Sequence, residues 1–552
     1  MIKDRLAEAL LGAAAEAQSR GKLINVALPE VAVERTQRPE HGDYASSLPL
    51  KLARGMGMSP MEIAKRLIES LPPMPEIEKV TIAPPGFINF KLSASWLASQ
   101  VDVILQAGHE YARSNLGRQA KVQLEFVSVN PTGPLHVGHG RGAVLGSALA
   151  NVLGTCGYVV EKEYYVNDAG SQIEAFHRSL YARYQQYFGL SAEMPANGYM
   201  GAYMIELAAE MAREYGHKFL DVPAEAAVKE LGEIGIVRML GQISVDLALV
   251  GVSFDSWFRE KTLFETGLYK KVMQLLADRG FVAKKEGATW FVSTALGESK
   301  DNVLVRSDGS PTYFASDIAY HFDKFVQRGF AKVIDIWGAD HQGHVSRIKA
   351  AASALGIDPE RLTVIITQMV ALRRGEELVK VSKRSGELIT LKELIDEVGA
   401  DACRFFFLSR SADAQMDFDI ELAKKQSADN PVYYVQYAHA RIASILSFAE
   451  EKGISYGEGD VSLLTASKEL ALVRKMLLLP EVLETVSQTL EPHHLTYYAT
   501  DLATAFHDFY TDCRVVSSDE RMTGARLKLV KSAKVALARV LKLMGMTAPE
   551  HM

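Results

Sequence analysis

Between residues 115 and 410, short apolar runs alternate with stretches whose apolar residues recur at i, i+3 and i+4. KVQLEFVSV (121–129) predicts a buried strand, GAVLGSALANVLGT (142–155) a helix and YVVEKEYYV (158–166) the next strand. AKVIDIWG (331–338) and RLTVIITQMV (361–370) predict two more strands. Strand–helix–strand alternation implies a Rossmann-type, doubly wound parallel sheet, whose ligands bind beyond the carboxyl ends of its strands. This α/β domain is expected over 111–420, with an insertion at about 170–265. Before it, MIKDRLAEALLGAAAEAQSRGK predicts a helix and KVTIAPPGFINFKLS (79–93) a short strand pattern, giving an α+β domain over 1–110. After about residue 420 the strand signals stop. DNPVYYVQYAHARIASILSFAEE, KELALVRKMLLLPEVLETVSQ and LTYYATDLATAFHDFYTDC all have helical spacing, so 421–552 reads as an all-α bundle.

Bulk properties narrow the class. A chain of 552 residues with 48% hydrophobic and 23% charged positions is that of an ordinary soluble globular protein of several domains. No apolar run approaches the ~18–20 residues of a membrane helix. Asp4, Glu8 and Glu16 are foreign to a secretory or transit peptide, so the N-terminal segment reads as a folded helix. The three cysteines, Cys156, Cys403 and Cys513, are too few and too scattered for a disulfide framework or a thiolate metal site. A reducing, cytoplasmic compartment is expected. A net charge of −6 means that any nucleic-acid contact must use local basic patches. RMTGARLKLVKSAKVALARVLK (521–542) supplies one: seven cations and no acid on a predicted amphipathic helix. Tyr433, Tyr434 and Tyr437 offer aromatic faces for stacking bases in the same region.

Two histidine pairs follow strand-like runs: VNPTGPLHVGHGRG (129–142) and GADHQGH (338–344). In the first, a helix is expected to begin near His136–His139. The unpaired N–H groups and partial positive charge of a helix start favour phosphate, and Gly138 lets a ligand approach the backbone. His136 and His139, at i and i+3, point the same way and can donate to phosphate oxygens. The bland alternative is a pair of satisfied histidines at a helix start. Zinc is another, since His136/His139 and His341/His344 form two H-x-x-H pairs, but neither has the H-E-x-x-H form that carries a general base. Further along, Lys380, Ser382, Lys383 and Arg384 beside Gly386 read as a loop closing on a polyphosphate, or as a solvated charged face.

HVGH (136–139) with KVSKR (380–384) resembles the HIGH and KMSKR signatures of class I aminoacyl-tRNA synthetases, Val381 replacing the usual Met. HGDYASSLPLKLA, PPGFINFKLS, EFVSVNPTGPLHVGHGR, PTYFASDIAYH, WGADHQGHVSRI, GADACRFFFL, PVYYVQYAHARI and FHDFYTDCRV resemble the arginyl-tRNA synthetase family from about residue 35 onward. That resemblance implies activation of L-arginine by ATP to arginyl-adenylate, then transfer to the terminal ribose of tRNA(Arg), with release of AMP and pyrophosphate. His136, His139, Lys380 and Lys383 would act on the phosphates. Gly138, Gly338, Asp340, His344, Met369, Val370, Ser382 and Arg384 would line the ATP site. Glu125, Asn130, Tyr313, Asp317 and His341 would surround arginine. Tyr433, Tyr437, Arg441 and Arg526 would meet the anticodon, while domain 1–110 meets the tRNA elbow. Mg2+ would accompany the pyrophosphate; no structural zinc and no membrane partner are expected, and the protein would be a cytoplasmic monomer. The chemistry is consistent: a planar guanidinium with five donors is matched by carboxylates, and Tyr313 and Asp317 share one helix face. A buried structural ion pair is the alternative for Glu125 and Asp317. Competing classes are a zinc hydrolase, a non-catalytic RNA-binding relative, a cytidylyltransferase and a cysteinyl-tRNA synthetase; KVSKR, the helical domain and the cysteine count argue against them in turn.

Overall fold

The computed structural model describes residues 1–379 and 389–552. Its centre is a sheet of five parallel strands: β1 (Lys121–Glu125), β2 (Val159–Val166), β3 (Ser256–Arg259), β4 (Lys332–Gly338) and β5 (Leu362–Thr367), in the order β5-β4-β1-β2-β3. Val122, Leu124, Tyr164, Val166, Val333 and Ile334 are buried on these strands, as expected of a parallel sheet covered by helices. The helix Val137–Thr155 follows β1 and has a nearly all-buried length of small and aliphatic residues. Gly146 lets it lie against Phe126, whose ring a Cβ at that position would strike at 2.3 Å.

Two strands are shorter than their apolar runs. β1 stops at Glu125 because Val127 and Ser128 adopt positive φ (70° and 43°), turning the chain out of the sheet where the pattern kept it extended. β5 ends at Thr367. Val370 opens a different strand, Val370–Arg374, which pairs with Glu377–Val379 and Met416–Asp419 in a separate three-stranded sheet. The insertion also needs redrawing. Its helices Ser171–Tyr187, Ala202–Tyr215 and Ala224–Leu249 share a core of their own around Phe176, Tyr184, Phe219 and Leu231, but β3 belongs to the central sheet. The helical insert therefore spans Ser171–Leu249, rather than running on to about 265.

The N-terminal region is a four-stranded antiparallel sheet with helices Ile2–Ser19, Leu48–Met56 and Pro60–Glu69; the pattern at 79–93 resolves into a hairpin, Ile77–Ala83 with Phe87–Leu92. After Met416–Asp419 only helices follow, the longest being Pro431–Glu451, His493–Asp512 and Glu520–Leu543. The two ends of the chain dock on each other. Glu481 accepts from Arg35 Nε and Nη2, both at 3.0 Å, and from the Tyr44 hydroxyl at 2.6 Å, while Arg474 pairs with Asp43 at 2.6 Å. Among the described residues no helix is long and apolar enough to cross a membrane.

Candidate active site

His136 is the N-cap of the helix Val137–Thr155. Its Nδ1 accepts from the Gly138 N–H at 3.1 Å, and the His136 N–H donates to His139 Nδ1 at 3.3 Å, a reciprocal cap built from two imidazoles. The rings stack with centroids 3.4 Å apart. Burial pushes His139 down to about 3, with His136 adding to the effect, and lowers His136 as well. Both rings are therefore neutral, and with both Nδ1 atoms acting as acceptors the remaining proton of each sits on Nε2. The helix mouth thus presents two N–H donors. The Val137 N–H meets the Ile389 carbonyl at 3.4 Å, and the Leu391 N–H meets the Leu135 carbonyl at 2.7 Å. Lys380, Ser382, Lys383 and Arg384 lie outside the described residues.

Beyond the ends of β1, β2 and β3 lies a pocket of carboxylates. Glu125, Asp317, Glu260 and Asp168 all act on the Tyr165 hydroxyl, whose ionisation burial and this negative field suppress. Asp168 has its cation: Arg259 Nε donates to it at 2.8 Å. Glu125 has one too, Lys324 Nζ at 2.6 Å, so the buried ion pair foreseen as its alternative role is present at one oxygen. Glu260, which sequence reasoning missed, is different. It is buried, its affinity for a proton is raised by that burial and by the charges of Asp317 and Asp168, and the hydroxyls of Ser316 and Tyr165 and the Asn167 amide, 3.0 Å from Glu260 Oε2, ease its ionised form. Glu260 ends no recognisable motif; only the pairing of β3 beside β2 brings it to the pocket. Asp317 Oδ2 lies 2.9 Å from His344 Nε2, and Tyr313, half exposed, stands one helical turn before it. Gly170 is needed beside it, since a Cβ there would come within 3.0 Å of the Tyr313 hydroxyl. Asn130 is held by Gln172 of the insert.

The second histidine motif follows β4 as a short 3-10 turn, Ala339–His344. Gly338 is tight against Asp340, whose carboxylate a Cβ would meet at 2.6 Å. His344, assigned to ATP from the sequence, contacts Asp317 and the rings of Phe314 and Trp337, which places it on the acidic pocket. His341, assigned to arginine, is solvent-facing and 3.3 Å from Asp340 Oδ2. Met369 is 74% exposed, and so is no core residue; Val370 is partly buried in the neighbouring sheet. Arg141 was also missed. Wholly buried, it donates to the carbonyls of Gln368 (3.0 Å), Ala414 (2.9 Å) and Ser411 (2.7 Å) and so ties the histidine-bearing helix to the loop carrying Met369. Among the described residues the group of three ligand side chains close enough for one metal ion is Glu491, His493 and His494, which includes neither H-x-x-H pair.

In the helical domain Tyr433 and Tyr437 stack with centroids 5.8 Å apart, and the Arg441 guanidinium lies between the rings of Tyr437 (4.8 Å) and Tyr510 (5.0 Å). Tyr437, Arg441 and Tyr510, with Phe448 and Arg514, line a groove of about 790 Å3. The basic helix does not form such a surface. Arg526 Nε is 2.8 Å from the buried Glu469, Lys528 pairs with Asp102, Lys534 with Glu550 at 2.6 Å, and Arg539 donates to the Tyr111 carbonyl at 3.0 Å. These cations serve partners inside the molecule, two of them within the helical domain and two in the earlier part of the chain, which an amphipathic pattern alone does not distinguish from an RNA-binding face.

A parallel sheet with a histidine-capped helix after its first strand and an all-α domain behind it defines a class I aminoacyl-tRNA synthetase. The family model for the catalytic domain of class I (R) tRNA synthetases matches residues 100–406, the arginyl-tRNA synthetase N-terminal domain 1–92 and the DALR anticodon binding domain 435–552. An arginine–tRNA ligase of Dehalococcoides mccartyi strain BAV1 is 58% identical over 551 residues, covering 100% of this chain and 99% of that protein. One from Moorella thermoacetica is 46% identical over 554 residues, at 100% and 99% coverage. The solved Thermus thermophilus arginyl-tRNA synthetase has the same fold (TM-score 0.78, 23% identity, full coverage of both chains). The chain belongs to the arginyl-tRNA synthetase family.

Proposed function

We propose that the protein joins L-arginine to tRNA(Arg) at the expense of ATP, with the amino acid in the Asp317–Glu260–Tyr165 pocket and the nucleotide across the mouth of the histidine-bearing helix. The observation that carries the reading is the carboxylate excess of that pocket. Arg259 and Lys324 offset Asp168 and Glu125, whereas Glu260 and Asp317 have no Lys or Arg contact among the described residues. A guanidinium is the planar, permanently charged partner that such a pair of acceptors fits. An ammonium would leave acceptors unpaired, which gives discrimination against lysine.

The chemistry needs position and charge rather than a protein nucleophile. The arginine carboxylate attacks the α-phosphorus of ATP, forming the mixed anhydride as the bond to pyrophosphate breaks. His136 and His139 donate their Nε2 protons as hydrogen bonds to the phosphate oxygens; being neutral and already capped on Nδ1, they need no reorganisation. Lys380 and Lys383 neutralise the departing pyrophosphate, and a Mg2+ ion bound with the nucleotide would add to that charge, as cations do in phosphoryl transfer. A terminal ribose hydroxyl of tRNA then attacks the arginyl carbonyl and AMP leaves. Gly338, Asp340 and Ser382 with Arg384 border the nucleotide, Met369 packs on the adenine, and Asn130 and His341 approach the amino-acid backbone. The Tyr437–Arg441–Tyr510 groove receives anticodon bases. The free, buried state of Cys156, Cys403 and Cys513 fits a reducing cytoplasm, and the enzyme is read as a monomer. Charging of total tRNA with each of the twenty amino acids, with and without ATP, tests the whole reading: arginine alone should be attached, and only with ATP.

A further inference from the structure

Across the sheet, Asp335 on β4, Glu125 on β1 and Glu163 on β2 stand side by side in register, three buried carboxylates in one row. Such a row persists only if cations face it. Arg328 answers Glu163 through Nη2 at 2.7 Å. Lys324 answers the other two: its fully buried Nζ donates to Glu125 Oε2 at 2.6 Å and to Asp335 Oδ1 at 2.8 Å, and lies 4.2 Å above the centre of the Tyr320 ring. Asp335 is occupied at its second oxygen by His321 Nε2 at 2.9 Å, and His321 Nδ1 lies 2.8 Å from the Asp317 carbonyl oxygen. A continuous buried chain therefore runs from the backbone of Asp317 through His321, Asp335 and Lys324 to Glu125. Its two ends, Glu125 and the backbone of Asp317, belong to residues whose carboxylates both act on Tyr165.

Lys324 lies on a π-turn, Asp323–Gln327, which directly continues the helix Tyr313–Phe322 bearing Tyr313 and Asp317. The wider turn changes the direction of the side chains relative to a regular helix, and such turns recur at functional sites. From this geometry we infer that Lys324 is a positioning residue for the amino acid, clamping Glu125 as an ionised acceptor and fixing its place relative to Asp317. The inference deepens the reading of the protein as an arginine-activating enzyme and rests on it. The environment agrees: burial and the neighbouring acids Asp335 and Glu163 press Glu125 towards its neutral form, and Lys324 is the group opposing them. A protonated Glu125 would offer a donor where a cationic substrate needs an acceptor.

The experiment is steady-state charging of tRNA by the full-length wild type, Lys324→Met and the double variant Lys324→Met/Asp335→Asn, with thermal melts of each. The double variant keeps the local net charge and relieves Asp335, so it should recover stability lost by the single variant, yet it still leaves Glu125 unclamped. Expected is a rise of roughly thirtyfold in the arginine KM of both variants, the loss of charge-assisted hydrogen bonding to a buried carboxylate, with the ATP KM unchanged within about twofold. If the double variant recovers both stability and the wild-type arginine KM, Lys324 only balances Asp335 and the proposal fails. A parallel rise of the arginine and ATP KM values also overturns it. Should Lys324→Met not fold, the double variant decides. A wild type that attaches no arginine would instead remove the functional reading beneath it.

Discussion

At the scale of single residues the pocket divides its acids by what already neutralises them. Among the described residues Asp317 has no Lys or Arg partner and only the His344 imidazole as an ion-pair contact, so its charge is available to a substrate. Asp317→Ala should raise the arginine KM by about a hundredfold, the value of a charge-assisted, two-point contact, and leave the ATP KM nearly unchanged. Equal losses for both substrates in steady-state charging would remove Asp317 from the amino-acid site. His139 makes a different prediction. Its native value of about 3 lies below the ~6.5 of an unfolded histidine, so between those limits the unfolded chain takes up a proton that the native ring refuses. The native ring is therefore without penalty above pH 6.5, and the fold loses stability as pH falls from there towards 3. His139→Asn should flatten that loss, by up to about 3 kcal/mol at pH 4, seen as urea midpoints at pH 7 and pH 4 that lie closer together than in the wild type. Parallel wild-type and variant shifts would mean that the ring is not held neutral by burial. The histidines and Asp317 were visible in the sequence because motif spacing carries them. Glu260, Lys324 and Arg141 were not, since each owes its role to a partner far along the chain: Asp317, Glu125 and Gln368.

At the scale of elements the period of apolar residues located the strands and helices but not their ends. KVQLEFVSV reads as one strand, and left-handed backbone at Val127 and Ser128 cuts it after Glu125. RLTVIITQMV likewise spans two sheets, because nothing in an apolar run marks where the chain leaves one for another. The break after β5 leaves Met369 in the open, on a loop that Arg141 holds through the Gln368 carbonyl while its other donors hold the neighbouring 411–414 loop. If that loop seats adenine, Arg141 acts on the nucleotide through its placement. Arg141→Met keeps the side-chain bulk and removes the donors. With hydrogen bonds to charged groups contributing about 1.5–3 kcal/mol each, losing them should raise the ATP KM by tenfold or more, while the arginine KM changes little. An unchanged ATP KM in pyrophosphate-exchange assays would detach this loop from the nucleotide.

At the scale of the whole molecule, a net charge of −6 leaves few surfaces for RNA, and the sequence offered two within the helical domain, the basic helix and the tyrosines beside Arg441. Four of the seven cations on the helix Glu520–Leu543 face internal partners: Arg526 and Lys534 meet Glu469 and Glu550 within the helical domain, while Lys528 and Arg539 meet Asp102 and the Tyr111 carbonyl earlier in the chain. Pattern alone sees a basic stripe; the packing shows that more than half of its cations are engaged within the molecule. What remains open is the groove in which Arg441 is layered between Tyr437 and Tyr510, a planar cation between two rings and suited to stacking on unpaired bases. Arg441 and Arg526 should therefore respond in opposite ways. Arg441→Lys keeps the charge and loses the plane, so tRNA binding should weaken by about 1–3 kcal/mol, roughly fivefold to 150-fold, with the melting temperature unchanged. Arg526→Ala leaves the buried Glu469 without its cation, so the melting temperature should fall while tRNA affinity, measured at one fixed salt concentration, stays within about twofold. If Arg526→Ala instead weakens tRNA binding at full stability while Arg441→Lys does nothing, the RNA lies along the basic helix and the groove has another purpose.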